Sequence, residues 1–195
     1  MKKLNNIAIK LIASDFFLYS GWGLIAPIFA IYITEQIEGG TIEVVAFATA
    51  LYWIAKSVIQ PFLANIIDLL DGERDDFKLL IMGTLAVALV PFGYVFATQV
   101  WHIFFLEFLR GVAMACIVPA WFGIFTRHIS KGWEAFSWSI QSTSTGLAYG
   151  FAAAFGGVVA LAFGFGAVFI FVGCLKILSA IILFLTYKDF FTKNE

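Results

Sequence analysis

The sequence is short of charge, of cysteine and of every familiar catalytic spacing, and each shortage closes off a class of protein. Charged residues make up 13% of 195 residues, about half the share found in a soluble domain. With 62% hydrophobic residues and a mean hydropathy of +0.94, the chain reads as integral to a membrane, with the lipid bilayer as its first partner. A net charge of −1 offers no basic surface for nucleic acid, and none is expected. Cys116 and Cys174 sit within apolar runs and read as thiols acting as small hydrophobes. His102 and His128 are isolated, so no cluster has metal-ligand spacing. No phosphate-binding glycine loop, G-x-S-x-G or H-E-x-x-H occurs. The expectation is no enzyme, no catalytic residue, no metal and no cofactor.

What is there is a series of long apolar runs, at about 11–34, 43–67, 79–98, 100–126, 135–163 and 166–187. Each is near or above the roughly 20 residues that span a ~30 Å hydrocarbon core. The reading is all-α: a six-helix transmembrane bundle forming a single domain over 1–195. The first run has the basic flank of a signal peptide but is too long for a signal core, so a retained helix is expected. Only residues 163–166 can turn the chain between the last two runs. Lys2, Lys3, Lys10, Arg74, Lys78, Arg127, Lys131, Lys188 and Lys193 all fall in the tails or in alternate loops. That bias places both termini in the cytoplasm.

Five ionisable residues remain inside the runs: Asp15, Lys56, Glu107, Arg110 and Lys176. A charge near the bilayer centre costs about 2.5–3.5 kcal/mol on insertion scales, so these side chains should face a polar interior or each other. Glu107 and Arg110 are three apart and share a helix face. They form either a structural pair that closes the bundle or the wall of a substrate and proton site. Helical spacing aligns Asp15 with Tyr19 and Trp22, Tyr52 with Lys56 and Gln60, and Gln141 with Thr145 and Tyr149. Asp15 is a candidate for proton coupling or a counter-ion for Lys56 or Lys176. Lys56 could hold an anion, and Lys176 reads as a structural or snorkelling cation. The third run offers only Thr84 and looks lipid-facing. Gly146, Gly150, Gly156 and Gly157 read as close helix packing, and Pro27, Pro61, Pro91 and Pro119 as kinks. A shift of 92 residues sets Asp15 on Glu107, Pro27 on Pro119 and Gly40 on Gly132, as in a 3+3 inverted repeat.

These motifs together resemble the major facilitator superfamily of secondary transporters. Gly21–Pro27 is similar to the family's opening pattern, and Ala64, Asp68, Gly72 and Arg74 to its G-x-x-x-D-R-x-G-R-R loop. That loop departs from the pattern at Ala64 and Leu69 and has Asp71 as an extra residue. Arg110, Gly111 and Pro119 resemble the fourth-helix pattern, and the glycines of the fifth run resemble the family's antiporters, without their proline. The resemblance implies one six-helix half of a two-half transporter, with Asp68, Gly72 and Arg74 in a cytoplasmic gating loop. The expected function is transport of a small polar or anionic solute across the plasma (inner) membrane, coupled to protons, with Asp15, Tyr19, Trp22, Lys56, Gln60, Glu107, Arg110, Gln141 and Thr145 along the pathway. A homodimer or a second six-helix half is the expected partner. The alternatives are a non-transporting scaffold or regulatory subunit, or a fragment of a full-length transporter.

Overall fold

The first apolar run is two helices, because Pro27 interrupts it. Pro27 has no N–H to continue the ladder and its ring crowds the preceding turn, so α1 (Asn6–Ile25) ends there and α2 (Phe29–Gln36) begins beyond it. The Asn5 side chain accepts from the Ile7 N–H at 3.1 Å and starts α1. The computed structural model describes residues 5–69 and 72–192. Asp71 of the loop motif, and Lys2, Lys3 and Lys193 of the orientation argument, lie outside the described residues.

The remaining helices are α3 (Ile42–Leu69), α4 (Glu73–Phe96), α5 (Val100–Arg127) and α6 (Glu134–Thr192). Helix α4 begins six residues before the expected 79. Glu73, Asp75 and Asp76 form its first turn, where acids complement the positive end of the helix dipole. Gly72, at φ 137°, makes the turn into it, a conformation few other residues adopt. Helix α6 is broken only at Gly164, at φ 79° and ψ 165°, inside the stretch where a turn was expected. Five helices are long and apolar enough to cross a membrane, and the apolar part of α6, at 58 residues, has the length of two crossings. Pro61, Pro91 and Pro119 lie inside helices that continue past them.

Packing divides into two apolar clusters. One gathers Leu11, Phe77, Leu80, Trp121, Phe125 and Leu183; the other gathers Ile25, Ile33, Tyr94, Ile103 and Phe169. Along α5 and α6 the interior charges Glu107, Arg110 and Lys176 fall between the two, while Asp15 on α1 lies within the first, between Ile12 and Leu18. Helix α1 lies on α6, and α5 is held between α3 and α4, with α4 also against α6. The third run packs one face and presents the other: Gly83, Thr84, Val87, Val90 and Tyr94 of α4 are buried, while Met82, Leu85 and Leu89 face outward. An evenly apolar helix shows no stripe, so its packed face is invisible in the pattern. The more exposed helix is α3, where Phe47, Trp53, Ile54, Val58, Phe62 and Ile66 all face outward.

Candidate functional site

The i, i+3 spacing of Glu107 and Arg110 closes an ion pair, Arg110 Nη2 donating to Glu107 Oε2 at 2.6 Å. Glu107 is 0% exposed and Arg110 6%. The Tyr94 hydroxyl of α4 donates to the other Glu107 oxygen, so both carboxylate oxygens are engaged. The Arg110 guanidinium lies between two rings, 3.5 Å from the Trp22 centroid and 3.8 Å from that of Tyr52. Stacking of this kind stabilises a desolvated cation by up to about 2 kcal/mol per ring. Gly111 brings α3 this close, for a Cβ there would sit 2.8 Å from the Tyr52 carbonyl oxygen. Gly23 does the same for α1, where a Cβ would lie 2.7 Å from the Tyr149 carbonyl oxygen of α6.

These contacts form one wall of a cavity of about 710 Å³, within the size range of small-molecule sites. Tyr19 and Trp22 of α1, Tyr52, Trp53 and Lys56 of α3, Arg110 and Met114 of α5, and Gln141, Thr145 and Lys176 of α6 line it, with Val87 of α4. Asp15, 5% exposed, accepts from Gln141 Nε2 at 3.1 Å. The same nitrogen lies 3.1 Å from Thr145 Oγ1. An acid behind the wall is thus linked to the cavity by one amide and one hydroxyl.

Of the residues expected along a pathway, Tyr19, Trp22, Lys56, Arg110, Gln141 and Thr145 line the cavity. Asp15 and Glu107 back it through Gln141 and Arg110. Gln60 is half-buried on α3 and is not among the lining residues. Asp15 is not a counter-ion for Lys56 or Lys176: none of the three makes an ion pair among the described residues. Asp68, Gly72 and Arg74 are all exposed and lie outside the cavity lining. Arg74 sits over the Phe191 ring at 5.2 Å, tying the start of α4 to the end of α6.

The chain matches the model of the Major Facilitator Superfamily over residues 11–194. It belongs to that superfamily. The family is one of transporters, not enzymes, and the chain is an integral, multi-pass membrane protein with the fold of an MFS-like transporter half. A similar solved structure is the in meso crystal structure of the POT family transporter PepTSo, with a TM-score of 0.78 at 14% identity. The match covers 94% of this chain and 37% of that one, so the chain spans well under half the length of its structural neighbour. No curated protein matches it.

Several residues of this superfamily member's site escaped the sequence reading. Tyr94 was passed over, although a hydroxyl in an apolar helix must find an acceptor, and Glu107 is that acceptor. Lys176 does not snorkel to an interface but lines the cavity at 3% exposure. A second cluster sits at the α4–α5 ends, where Arg127 donates to Glu73 at 2.8 Å and also to Asp76. His128 lies 3.5 Å from Glu73 in the same cluster. Of the four glycines assigned to packing, only Gly156 is closely packed, against the Leu24 carbonyl; Gly146, Gly150 and Gly157 face open space.

Proposed function

We propose that the chain is one half of a secondary transporter that carries a small polar or anionic solute across the plasma (inner) membrane. The observation that carries this reading is the cavity, about 710 Å³ in volume, that α1, α3, α5 and α6 line with polar groups. Such groups are too costly to place in hydrocarbon without a polar space to face. Coupling to protons rests on Asp15, an acid without a cation that reaches the cavity through Gln141. The 3+3 inverted repeat is supported by helix ends: α3 starts at 42 and α6 at 134, and the glycine turns fall at 72 and 164. Both intervals are 92 residues. Packing supports it too, α1 lying on α6 as α5 lies on α3 and α4. In this reading both termini are cytoplasmic, residues 1–195 form one domain, and Asp68, Gly72 and Arg74 gate the cytoplasmic side.

A second copy of the chain or a second six-helix half completes the transporter. The outward-facing Trp53 and Tyr149 at the cavity mouth and the unpacked Gly146 and Gly150 support a partner seated there. The test is reconstitution in liposomes with an imposed pH gradient. Gradient-driven solute uptake, lost in Asp15→Asn, is the expected result. A stable dimer with no uptake under any gradient would instead assign the chain to the scaffold class.

A further inference from the structure

The three cations of the cavity are not equivalent, and their difference points to a substrate class. Arg110 is partly engaged: one nitrogen holds Glu107 at 2.6 Å, the Trp22 and Tyr52 rings lie 3.5 and 3.8 Å from it, and its buried Nε has no hydrogen-bond partner among the described residues. Lys176 is as deeply buried, at 3% exposure, yet makes no hydrogen bond or ion pair among the described residues. Its stem lies across Gly21 of α1, where a Cβ would come within 3.2 Å of Lys176 Cε. Lys176 is also one of the residues that line the cavity. Lys56, on α3, rests over the Trp53 ring at 4.9 Å and is likewise without an ion-pair partner. Among the described residues, no carboxylate lines the cavity. A buried ammonium without a counter-charge is strongly disfavoured, and an anion bound in the cavity would supply one.

We propose that Lys176 is the anchor of a carboxylate-binding subsite, with Lys56 as its second cation and Arg110 as a fixed element of the wall. The inference rests on the transporter reading and names its substrate class as organic carboxylates. The rest of the lining says what the carboxylate is attached to. Leu18, Val87 and Met114, with the rings of Trp22, Tyr52 and Trp53, suit an apolar or aromatic body rather than a sugar-like one. The two lysines bind an anion as point charges, and phenyl phosphate is the control that separates a carboxylate from a phosphate.

The experiment is thermal unfolding of the purified full chain in detergent. It is titrated with acetate, hexanoate, octanoate, benzoate and phenylacetate, each against its neutral amide and against phenyl phosphate. One or more of the larger carboxylates should stabilise the protein while its amide does not. Lys176→Met should weaken that binding roughly 10- to 100-fold, the worth of a charge-assisted hydrogen bond, and Lys176→Arg should restore part of it. Lys56→Gln should weaken it less. Lys176→Met keeps the packed stem and removes an unpaired charge, so it should fold at least as well as the parent. Equal stabilisation by acid and amide, an unchanged response in Lys176→Met, preference for phenyl phosphate, or no response to any carboxylate would overturn the subsite. Carboxylate binding without uptake in liposomes would sink the transporter reading and leave the subsite standing. Uptake of neutral solutes untouched by Lys176→Met would do the reverse.

Discussion

Asp15 and Glu107 stand 92 residues apart on α1 and α5 and keep different company. Glu107 has an arginine one turn along its own helix and a tyrosine from the neighbouring one, and no part of it is exposed. Asp15 has a single amide from α6, 3.1 Å away, and no cation. The difference separates two uses of a buried acid. A carboxylate with every oxygen engaged holds helices in place; one with a single neutral donor keeps the capacity to change its charge. We therefore propose that Glu107 belongs to the framework of the cavity and Asp15 to its working parts.

The sharpest way to break this comparison is Arg110→Met. It strands Glu107 in the interior, and loss of a partner from a buried pair costs about 3–5 kcal/mol. Reversible unfolding in detergent should show that loss, and adding Glu107→Gln should recover most of it. If single and double variants unfold alike, Glu107 is not held by the pair. Tyr94→Phe comes next, since leaving a buried acceptor short of a donor costs about 1–3 kcal/mol. It should lower the unfolding midpoint without altering the pH dependence of uptake. Asp15→Asn should do the opposite, shifting stability by less than about 1 kcal/mol while uptake ceases to follow a proton gradient. An Asp15→Asn protein that unfolds as readily as Arg110→Met would erase the distinction. The smallest effect is expected for Lys10→Gln. Its 2.5 Å pair with Asp189 lies at the surface, where such pairs contribute about 0–1 kcal/mol.

The helices and the buried charges were legible for the same reason. Bilayer thickness sets the length of a crossing, and an ionisable residue inside one is rare enough to notice. That is why the expected starts at 43, 100 and 135 lie within a residue of α3, α5 and α6. The partners were not legible, because they depend on which helices meet. Nothing local says that Tyr94 reaches Glu107, or that Gly156 meets Leu24 while Gly157 meets nothing. The prolines differ for the same reason: Pro27 ends a helix while Pro61, Pro91 and Pro119 lie inside theirs. Lys176 was visible as a charge, but its place in the cavity needs Gly21 of α1 beneath its stem.

The reach of the Asp15 bond also orders events during synthesis. Arg110 follows Glu107 by three residues, so α5 enters the bilayer carrying its own counter-charge. Asp15 waits 126 residues for Gln141. Until α6 emerges from the ribosome, α1 must hold an unsupported acid, and its side chain then has only water, headgroups or the insertion machinery for company. Assembly of the cavity is therefore bound to the arrival of α6.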